Sequence, residues 1–165
     1  MDLVLPRADR DDWEHTFMGI AILMSRRSPD PNTQVGAVLV SLDNRIISTG
    51  YNGLPRGISC GQINWSRDNE DELQTKYPFV IHAENNSILS AHEDLTGSSL
   101  FVTMHPCNEC AQLIIQHGIK KVWYLCNPYK DSWQVKAANR MFGLVDIEVK
   151  QFRPEKDTIE INLKC

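Results

Sequence analysis

The sequence predicts an α/β layered fold, in which helices cover a five-stranded mixed sheet. Near the start of the chain, two β-rich runs at 34–40 and 45–49 are separated by the turn formers Asp43 and Asn44, which predicts an antiparallel hairpin. From about residue 81 onward, helical and β-rich segments alternate. Strands that are joined by helices favour parallel pairing, so the sheet should have an antiparallel and a parallel part.

The first half of the chain supplies a helix, the hairpin and a long loop. Apolar residues at helical spacing predict a helix over 13–26, which ends at the two prolines of "SPDPN". The motif "GYNG" closes the hairpin. The polar segment 54–78 has no clear period, and a loop of this length inside a compact domain is often functional.

The second half of the chain alternates between helices and strands. Gly97, Gly118 and Gly143 mark the expected helix ends, and Asp131 or Ser132 is a suitable N-cap. The predicted segments are a helix at 82–95, a strand at 99–104, a helix at 107–117, a strand at 121–125, a helix at about 132–142 and a strand at 144–150. No repeat or linker interrupts them, so we expect a single domain over 1–165 with its core at about 13–150.

The composition is that of a soluble globular protein, with 42% apolar and 23% charged residues. No apolar run reaches the length of a membrane span, and the acidic, mixed N-terminus does not look like a signal peptide. Five cysteines without disulfide density favour a reducing compartment, so we expect a cytoplasmic protein with no membrane partner. The formal charge of -4 disfavours long nucleic acid, whereas a small anion needs only a few local cations.

Three residues with metal-ligand side chains, His82, Cys107 and Cys110, fall at the predicted beginnings of helices. Pro106 suits a first helical turn, which places the two cysteines three apart on one face of the helix. The positive end of the helix dipole lowers thiol pKa values and favours the thiolates that a metal needs. One imidazole and two thiolates make three ligands, the number expected for catalytic zinc, and leave a fourth position for water.

Glu84 follows the histidine by two residues and is not needed as a ligand. A carboxylate beside the metal can take a proton from water and pass it to a substrate. A CxxC pair alone is often a redox or structural pair, and HxE alone means little. The conjunction of HxE with PCxxC one helix and one strand later is the zinc deaminase signature, and it favours catalytic zinc.

With these motifs, the sequence resembles the cytidine deaminase superfamily and, within it, the deoxycytidylate (dCMP) deaminases. The similarity runs in the family's order through "RSPDPNTQVGAVLV", "GYNGLPRG", "TKYPFVIHAENNSIL", "PCNECAQLIIQHGIKKVWY" and "YKDSW". The sequence departs from the family at Asn85, where leucine is more frequent, and at His105, where an apolar or small residue is commoner. The resemblance implies a three-layer α/β/α cytidine-deaminase-like fold.

The resemblance also implies the reaction, which is zinc-dependent hydrolysis of dCMP to dUMP and ammonia with Glu84 as the proton shuttle. It implies that Asn52 meets the sugar hydroxyl, with an Asn-Gly turn as the alternative for this residue. Five residues are expected near the 5′-phosphate, and for each a solvated or capping role is the alternative: Arg27, Ser28, Asn32, Tyr129 and Lys130.

Members of this family are typically homo-hexamers that dCTP activates and dTTP inhibits together with magnesium. The resemblance implies the same assembly and regulation for this chain. Effector contacts are expected in the segment after "GYNG", including Arg56 and the stretch 63–73, and also at Tyr51 and Gly53.

Two other classes of function remain open at this point. A tRNA adenosine deaminase or a free cytidine deaminase shares the zinc motif, although the acidic balance disfavours tRNA. A catalytically silent zinc-binding module is the other alternative, although Glu84 would have no use there.

A few aromatic and sulfur residues lie outside these motifs. Cys60 in the long loop could join a second metal site. Trp13 and Trp123 fit core positions, whereas Trp65 and Trp133 suit subunit contacts or stacking.

Overall fold

A five-stranded sheet with the strand order β2-β1-β3-β4-β5 organises the protein. The structure is a computed structural model, and it describes residues 4–154, 156, 158–161 and 164. The strands are β1 (Gly36–Val40), β2 (Ile46–Tyr51), β3 (Ser99–Met104), β4 (Lys121–Cys126) and β5 (Glu148–Gln151). The helices are α1 (Trp13–Ser25), α2 (Ala83–Ser90), α3 (Asn108–Gln116) and α4 (Trp133–Leu144).

The pairing of the strands confirms the mixed sheet. Strand β1 pairs antiparallel with both β2 and β3, whereas β3, β4 and β5 pair parallel. Two single-turn 3₁₀ segments, Cys60–Gln62 and Glu72–Gln74, lie in the long loop that follows β2. No helix in the described part of the chain is long and apolar enough to cross a bilayer.

Helices cover both faces of the sheet, which confirms the three-layer α/β/α prediction. On one face, Phe17 and Met18 of α1 pack against Val38 and Phe101. The other face of the sheet packs against helices α2, α3 and α4. Strand β1 is buried along its whole length because its successive side chains point to two covered faces.

Two helices end at positions that differ from the prediction. Helix α2 ends at Ser90 and not at residue 95, because the chain turns extended at Ala91 and buries Leu95 in the core. Helix α4 continues through Gly143 to Leu144. The left-handed residue after α4 is Asp146, with φ 51°, so the expected glycine stop was wrong.

The prediction that Trp13 is a core residue was also wrong. Its side chain is 55% exposed and stacks on Phe17, with ring centroids 5.4 Å apart. Trp13 is the first residue of α1, where one side of the helix already faces solvent. Trp123 is half-buried and packs with the α1-facing cluster, as expected.

The carboxyl ends of the parallel strands lie along one margin of the sheet, which we call the functional edge. The carboxyl ends of β3 and β4 lie side by side, with Met104 opposite Cys126, so the segments after both strands begin at this edge. The β1–β2 turn lies at the opposite edge, because Val40 pairs with Ser99 at the start of β3.

Gly50 in β2 allows α2 to lie directly on the sheet. A Cβ atom at this position would come within 2.2 Å of the Ala83 carbonyl oxygen and 2.5 Å of the Ser87 nitrogen. The first turn of α2 is therefore fixed against β2 at van der Waals distance. The positions of His82 and Glu84 at the beginning of this helix therefore depend on the close approach at Gly50.

We predict that Gly50→Ala destabilises the protein by about 1–3 kcal/mol, because the added methyl group must displace helix backbone. Gly143→Ala is the matched control, since a Cβ there meets no atom within 4 Å and alanine favours a helix by up to about 1 kcal/mol. Thermal unfolding of both variants measures the difference. Equal melting temperatures would contradict the close contact at Gly50.

Candidate active site

Three ligand-type side chains converge where two helices begin. His82 is the N-cap residue of α2, Cys107 is the N-cap residue of α3, and Cys110 lies in the first turn of α3. The Nδ1 atom of His82 lies 3.3 Å from the sulfur of Cys110 and 3.4 Å from that of Cys107. All three ligand atoms lie within 4.8 Å of one another.

The donor set fits a tetrahedral zinc ion. Zinc–nitrogen and zinc–sulfur bonds of typical length imply a nitrogen–sulfur separation of roughly 3.6 Å, close to the two separations in this cluster. Neither N-cap side chain caps its own helix, so both remain directed to the cluster. Three protein donors leave one tetrahedral position for a non-protein ligand.

Without a metal ion, the three side chains shift one another's pKa values in different directions. A hydrogen bond with the Cys107 sulfur raises the pKa of His82 to about 9 in spite of burial. The pKa of Cys107 falls to about 4, first because Cys110 donates a hydrogen bond to it and also because His82 does. The same hydrogen bond and burial raise the pKa of Cys110. At neutral pH the cluster therefore holds one imidazolium, one thiolate and one thiol.

Glu84 lies beside this cluster in the first turn of α2 and is only 4% exposed. Burial raises the pKa of its carboxyl group, and the charge on His82 opposes this shift. Interaction with Cys110 also lowers the pKa of this carboxyl group, as the least of the contributions. A carboxyl group that is buried beside the cluster and has a pKa above its ordinary value is suited to accept and return protons.

A buried ion pair next to the site was not predicted from the sequence. The ammonium group of Lys76 pairs with the carboxylate of Asp30, and the two side chains are 7% and 1% exposed. Asp30 also accepts hydrogen bonds from the backbone N–H groups of Asn32 and Thr33. The pair therefore fastens the long loop to the loop after α1. A single Asp and a distant Lys in polar segments carry no spacing signal that could have indicated it.

Asn52 belongs to the same network. Its side-chain oxygen accepts from the Val35 N–H at 2.8 Å, and its amide donates to the Thr33 carbonyl at 2.9 Å. Asn52 is 6% exposed, and its backbone carbonyl accepts a hydrogen bond from Ser28. These bonds give the side chain a structural role, so contact with a sugar hydroxyl stays a prediction that would use its remaining acceptor capacity.

The residues expected near a phosphate lie on two segments. Arg27, Ser28 and Asn32 follow α1, and the Asn32 amide donates to the Trp65 carbonyl at 3.4 Å. Tyr129 and Lys130 follow β4 at the functional edge, and both are exposed. The hydroxyl group of Tyr129 accepts a hydrogen bond from Arg67, a residue of the long loop that was not predicted to contact substrate.

The residues expected to contact an effector differ in accessibility. Gly53 is buried and pairs with Ile81 through its backbone, and Tyr51 is half-buried. Arg56 and Cys60 are exposed. Among the described residues, the one candidate metal cluster is the His82 group, so a second site that includes Cys60 gains no support.

His105, a departure from the family pattern, is buried behind the cysteine loop. Its ring contacts Tyr124 edge to face at 4.7 Å, and its nitrogens lie 2.9 Å from the Pro106 carbonyl and 3.1 Å from the Asn139 side chain. Burial lowers the pKa of this histidine. His105 therefore packs as a buried, hydrogen-bonded residue of the core.

The sequence matches a family described as the cytidine and deoxycytidylate deaminase zinc-binding region over residues 11–126. It is 43% identical to the deoxycytidylate deaminase of Homo sapiens over 157 residues, which cover 94% of this chain and 88% of the human protein. It is 44% identical to a probable deoxycytidylate deaminase of Drosophila melanogaster over 156 residues, which cover 91% and 77% of the two chains.

A solved structure supports the same relationship. The dCMP deaminase from the cyanophage S-TIM5, in complex with dCMP and dUMP, superposes with a TM-score of 0.65 and 31% identity. The match covers 84% of this chain and 96% of the phage protein. The chain belongs to the cytidine and deoxycytidylate deaminase family. The human protein and the phage structure are both deoxycytidylate deaminases, so the prediction of an enzyme of this type is confirmed.

We predict that zinc binding near pH 7 releases about two protons, because the ion needs a neutral imidazole and two thiolates. Between the pKa of Cys107, about 4, and that of His82, about 9, apparent zinc affinity should rise as the pH rises. The expected increase is about 100-fold per pH unit. Calorimetry of zinc binding in buffers of different ionisation enthalpy measures the proton release, and a pH-independent affinity would contradict the proton distribution.

We predict that Lys76→Met destabilises the protein by about 3–5 kcal/mol, because it leaves the Asp30 carboxylate buried without its partner. Lys121→Met is the matched control, since Lys121 lies 3.9 Å from an exposed Glu148 carboxylate and should contribute about 0–1 kcal/mol. Urea unfolding of both variants gives the two values. A similar small loss in each would show that the buried pair does not hold the loops together.

Proposed function

We propose that this protein hydrolyses the 4-amino group of dCMP to give dUMP and ammonia, with Zn²⁺ held by His82, Cys107 and Cys110. The observation that carries the proposal is the convergence of these three side chains beside the buried carboxyl group of Glu84. The similarity to deoxycytidylate deaminases, including one with dCMP and dUMP bound, supports the choice of substrate.

Zinc, when bound, supplies a Lewis acid that lowers the pKa of a water molecule and makes it nucleophilic at neutral pH. Glu84 takes the proton from the attacking water and delivers it to N3 of the cytosine ring. Glu84 then takes the second proton from the new hydroxyl group on C4 and passes it to the amine, so that the C4–N bond breaks, ammonia leaves and the C4 carbonyl of dUMP forms. The raised pKa of Glu84 suits this sequence, since the group must both accept a proton and return it.

The rest of the nucleotide is proposed to lie along the two segments beside the cluster. Asn52 is assigned to the sugar. The loop after α1 and the segment after β4 are assigned to the 5′-phosphate, through Arg27, Ser28, Asn32, Tyr129 and Lys130. The hydrogen bond between Ser28 and the Asn52 carbonyl supports a common site, because it joins the sugar and phosphate regions.

We further propose a single-domain, cytoplasmic enzyme that assembles as a homo-hexamer and responds to dCTP and to dTTP with Mg²⁺. Large exposed apolar side chains support a surface for other copies of the chain, with Leu89 68%, Trp133 66% and Leu144 75% exposed. The exposed side chain of Arg56, five residues after the half-buried Tyr51, supports an effector contact after β2.

We predict that Glu84→Gln lowers kcat/KM for dCMP by at least about 10²–10⁴-fold, because the amide cannot carry the proton. Zinc stoichiometry should remain that of the unmodified protein. Glu93→Gln is the matched control, since Glu93 is an exposed carboxylate in the loop after α2 and should keep full turnover.

Ammonia release is to be measured with dCMP, cytidine and adenosine-containing RNA. Turnover of cytidine or RNA in preference to dCMP would contradict the proposed substrate. Unchanged turnover in Glu84→Gln would contradict the role of the carboxyl group.

A further inference from the structure

We propose that Arg67, in addition to the phosphate residues assigned above, binds the 5′-phosphate of the substrate and helps this enzyme to distinguish a nucleoside monophosphate from a nucleoside. This assignment rests on the proposed function of the site. Arg67 lies in the stretch 63–73, for which the sequence analysis expected effector contacts.

Two tyrosines orient the Arg67 side chain. Its Nη2 atom donates to the Tyr129 hydroxyl at 3.0 Å, and its Nε atom donates to the Tyr77 hydroxyl at 3.5 Å. These two hydrogen bonds raise the pKa of Arg67, which is fully charged in any case. A long exposed side chain would otherwise be free to rotate, so the two phenols reduce the entropy that ligand binding must remove.

The two tyrosines place the guanidinium group on the same side of the fold as the metal cluster. Tyr129 follows β4, and β4 ends beside β3, which leads directly into the Cys107 loop. The His105 N–H donates to the Cys126 carbonyl at 2.9 Å, so the segments after the two strands are joined. Tyr77 lies five residues before His82.

A chain of contacts links Arg67 to the loop after α1. Tyr77 lies under the ammonium group of Lys76 at 5.8 Å, and Lys76 pairs with Asp30. Asp30 in turn accepts from the Asn32 N–H at 2.9 Å. The same loop meets the long loop a second time, where Asn32 donates to Trp65, two residues before Arg67. Arg67 is therefore bonded directly to the segment after β4 and is linked to the loop after α1 through Tyr77 and the Lys76–Asp30 pair.

The charge on Arg67 is available to an anion. In the described part of the chain, no carboxylate lies within ion-pair distance of its guanidinium group, and its recorded partners are neutral phenols. Asp68 and Glu72 line a surface depression of about 310 Å³ together with Arg67 and Tyr77. These carboxylates disfavour an anion inside the depression, so we place the phosphate on the Tyr129 side.

The chemistry of the group matches a phosphate monoester. A guanidinium group presents several N–H donors in a planar fork that can bind two phosphate oxygens at once. Two of its N–H groups are used by the tyrosines, and the others remain for the ligand. A nucleoside lacks the phosphate, so it would gain nothing from this contact.

The test compares dCMP with deoxycytidine in steady-state kinetics of the zinc-loaded enzyme. Arg67→Ala should lower kcat/KM for dCMP by about 10- to 100-fold, mainly through KM, which corresponds to a lost hydrogen bond to a charged group. The value for deoxycytidine should stay within about threefold, because the nucleoside makes no such bond. Arg67→Lys should lose less than Arg67→Ala, since it keeps the charge without the fork.

Arg45→Ala is the matched control. Arg45 is exposed and belongs to the β1–β2 turn at the opposite edge of the sheet, so its loss should leave both substrates unaffected. Thermal unfolding of each variant checks that the fold is retained.

Three results would overturn the assignment of Arg67. These are unchanged kinetics for dCMP in Arg67→Ala, an equal loss for dCMP and deoxycytidine, and a change confined to the response to dCTP. A failure of the proposed function is distinguishable, because the unmodified protein would then release no ammonia from dCMP. That result would remove the Arg67 proposal as well.

Discussion

The meeting of two helix N-termini above one edge of the sheet is the constraint on which the site depends. His82 ends an extended segment and begins α2, while Cys107 ends the loop after β3 and begins α3. Both helices pack on the same face of the sheet, and Gly50 lets α2 approach the backbone of β2. The imidazole and the two sulfurs converge because the sheet fixes both helices, and no local sequence preference could bring residues 25 or 28 positions apart together.

The rim of the site depends on a different interaction, the buried pair of Asp30 and Lys76. An isolated buried charge is costly, so each of these residues requires the other. Their pairing holds the loop after α1 against the long loop after β2, although both loops have little regular secondary structure. Arg67 and Tyr77 belong to the long loop, so their positions depend on the same ion pair. The metal-ligand cluster and the loops proposed to bind the nucleotide are therefore held by separate interactions, helix packing for the first and a buried ion pair for the second.

Much of the fold could be predicted from the sequence, because its local signals agree with the tertiary structure. The alternation from residue 99 to 126 and the Ser132 cap were predicted correctly, since apolar periodicity and capping act over a few residues. The end of α2 was not predicted correctly, because the chain leaves the helix at Ala91 to bury Leu95 in the core. Trp13 was misplaced for a related reason, since an apolar residue at a helix end need not face the core.

The sequence by itself determined the family, the layered architecture and the set of His, Cys and Glu residues that the site could use. These three features follow from the types of residue and their short spacings, which can be read from the sequence alone. Only the tertiary structure decided that Glu84 is buried, that the Asn52 side chain bonds to the backbone of Val35 and Thr33, and that Arg67 meets Tyr129 across 62 positions. Burial and long-range contacts arise when distant segments pack together, so no local pattern encodes them.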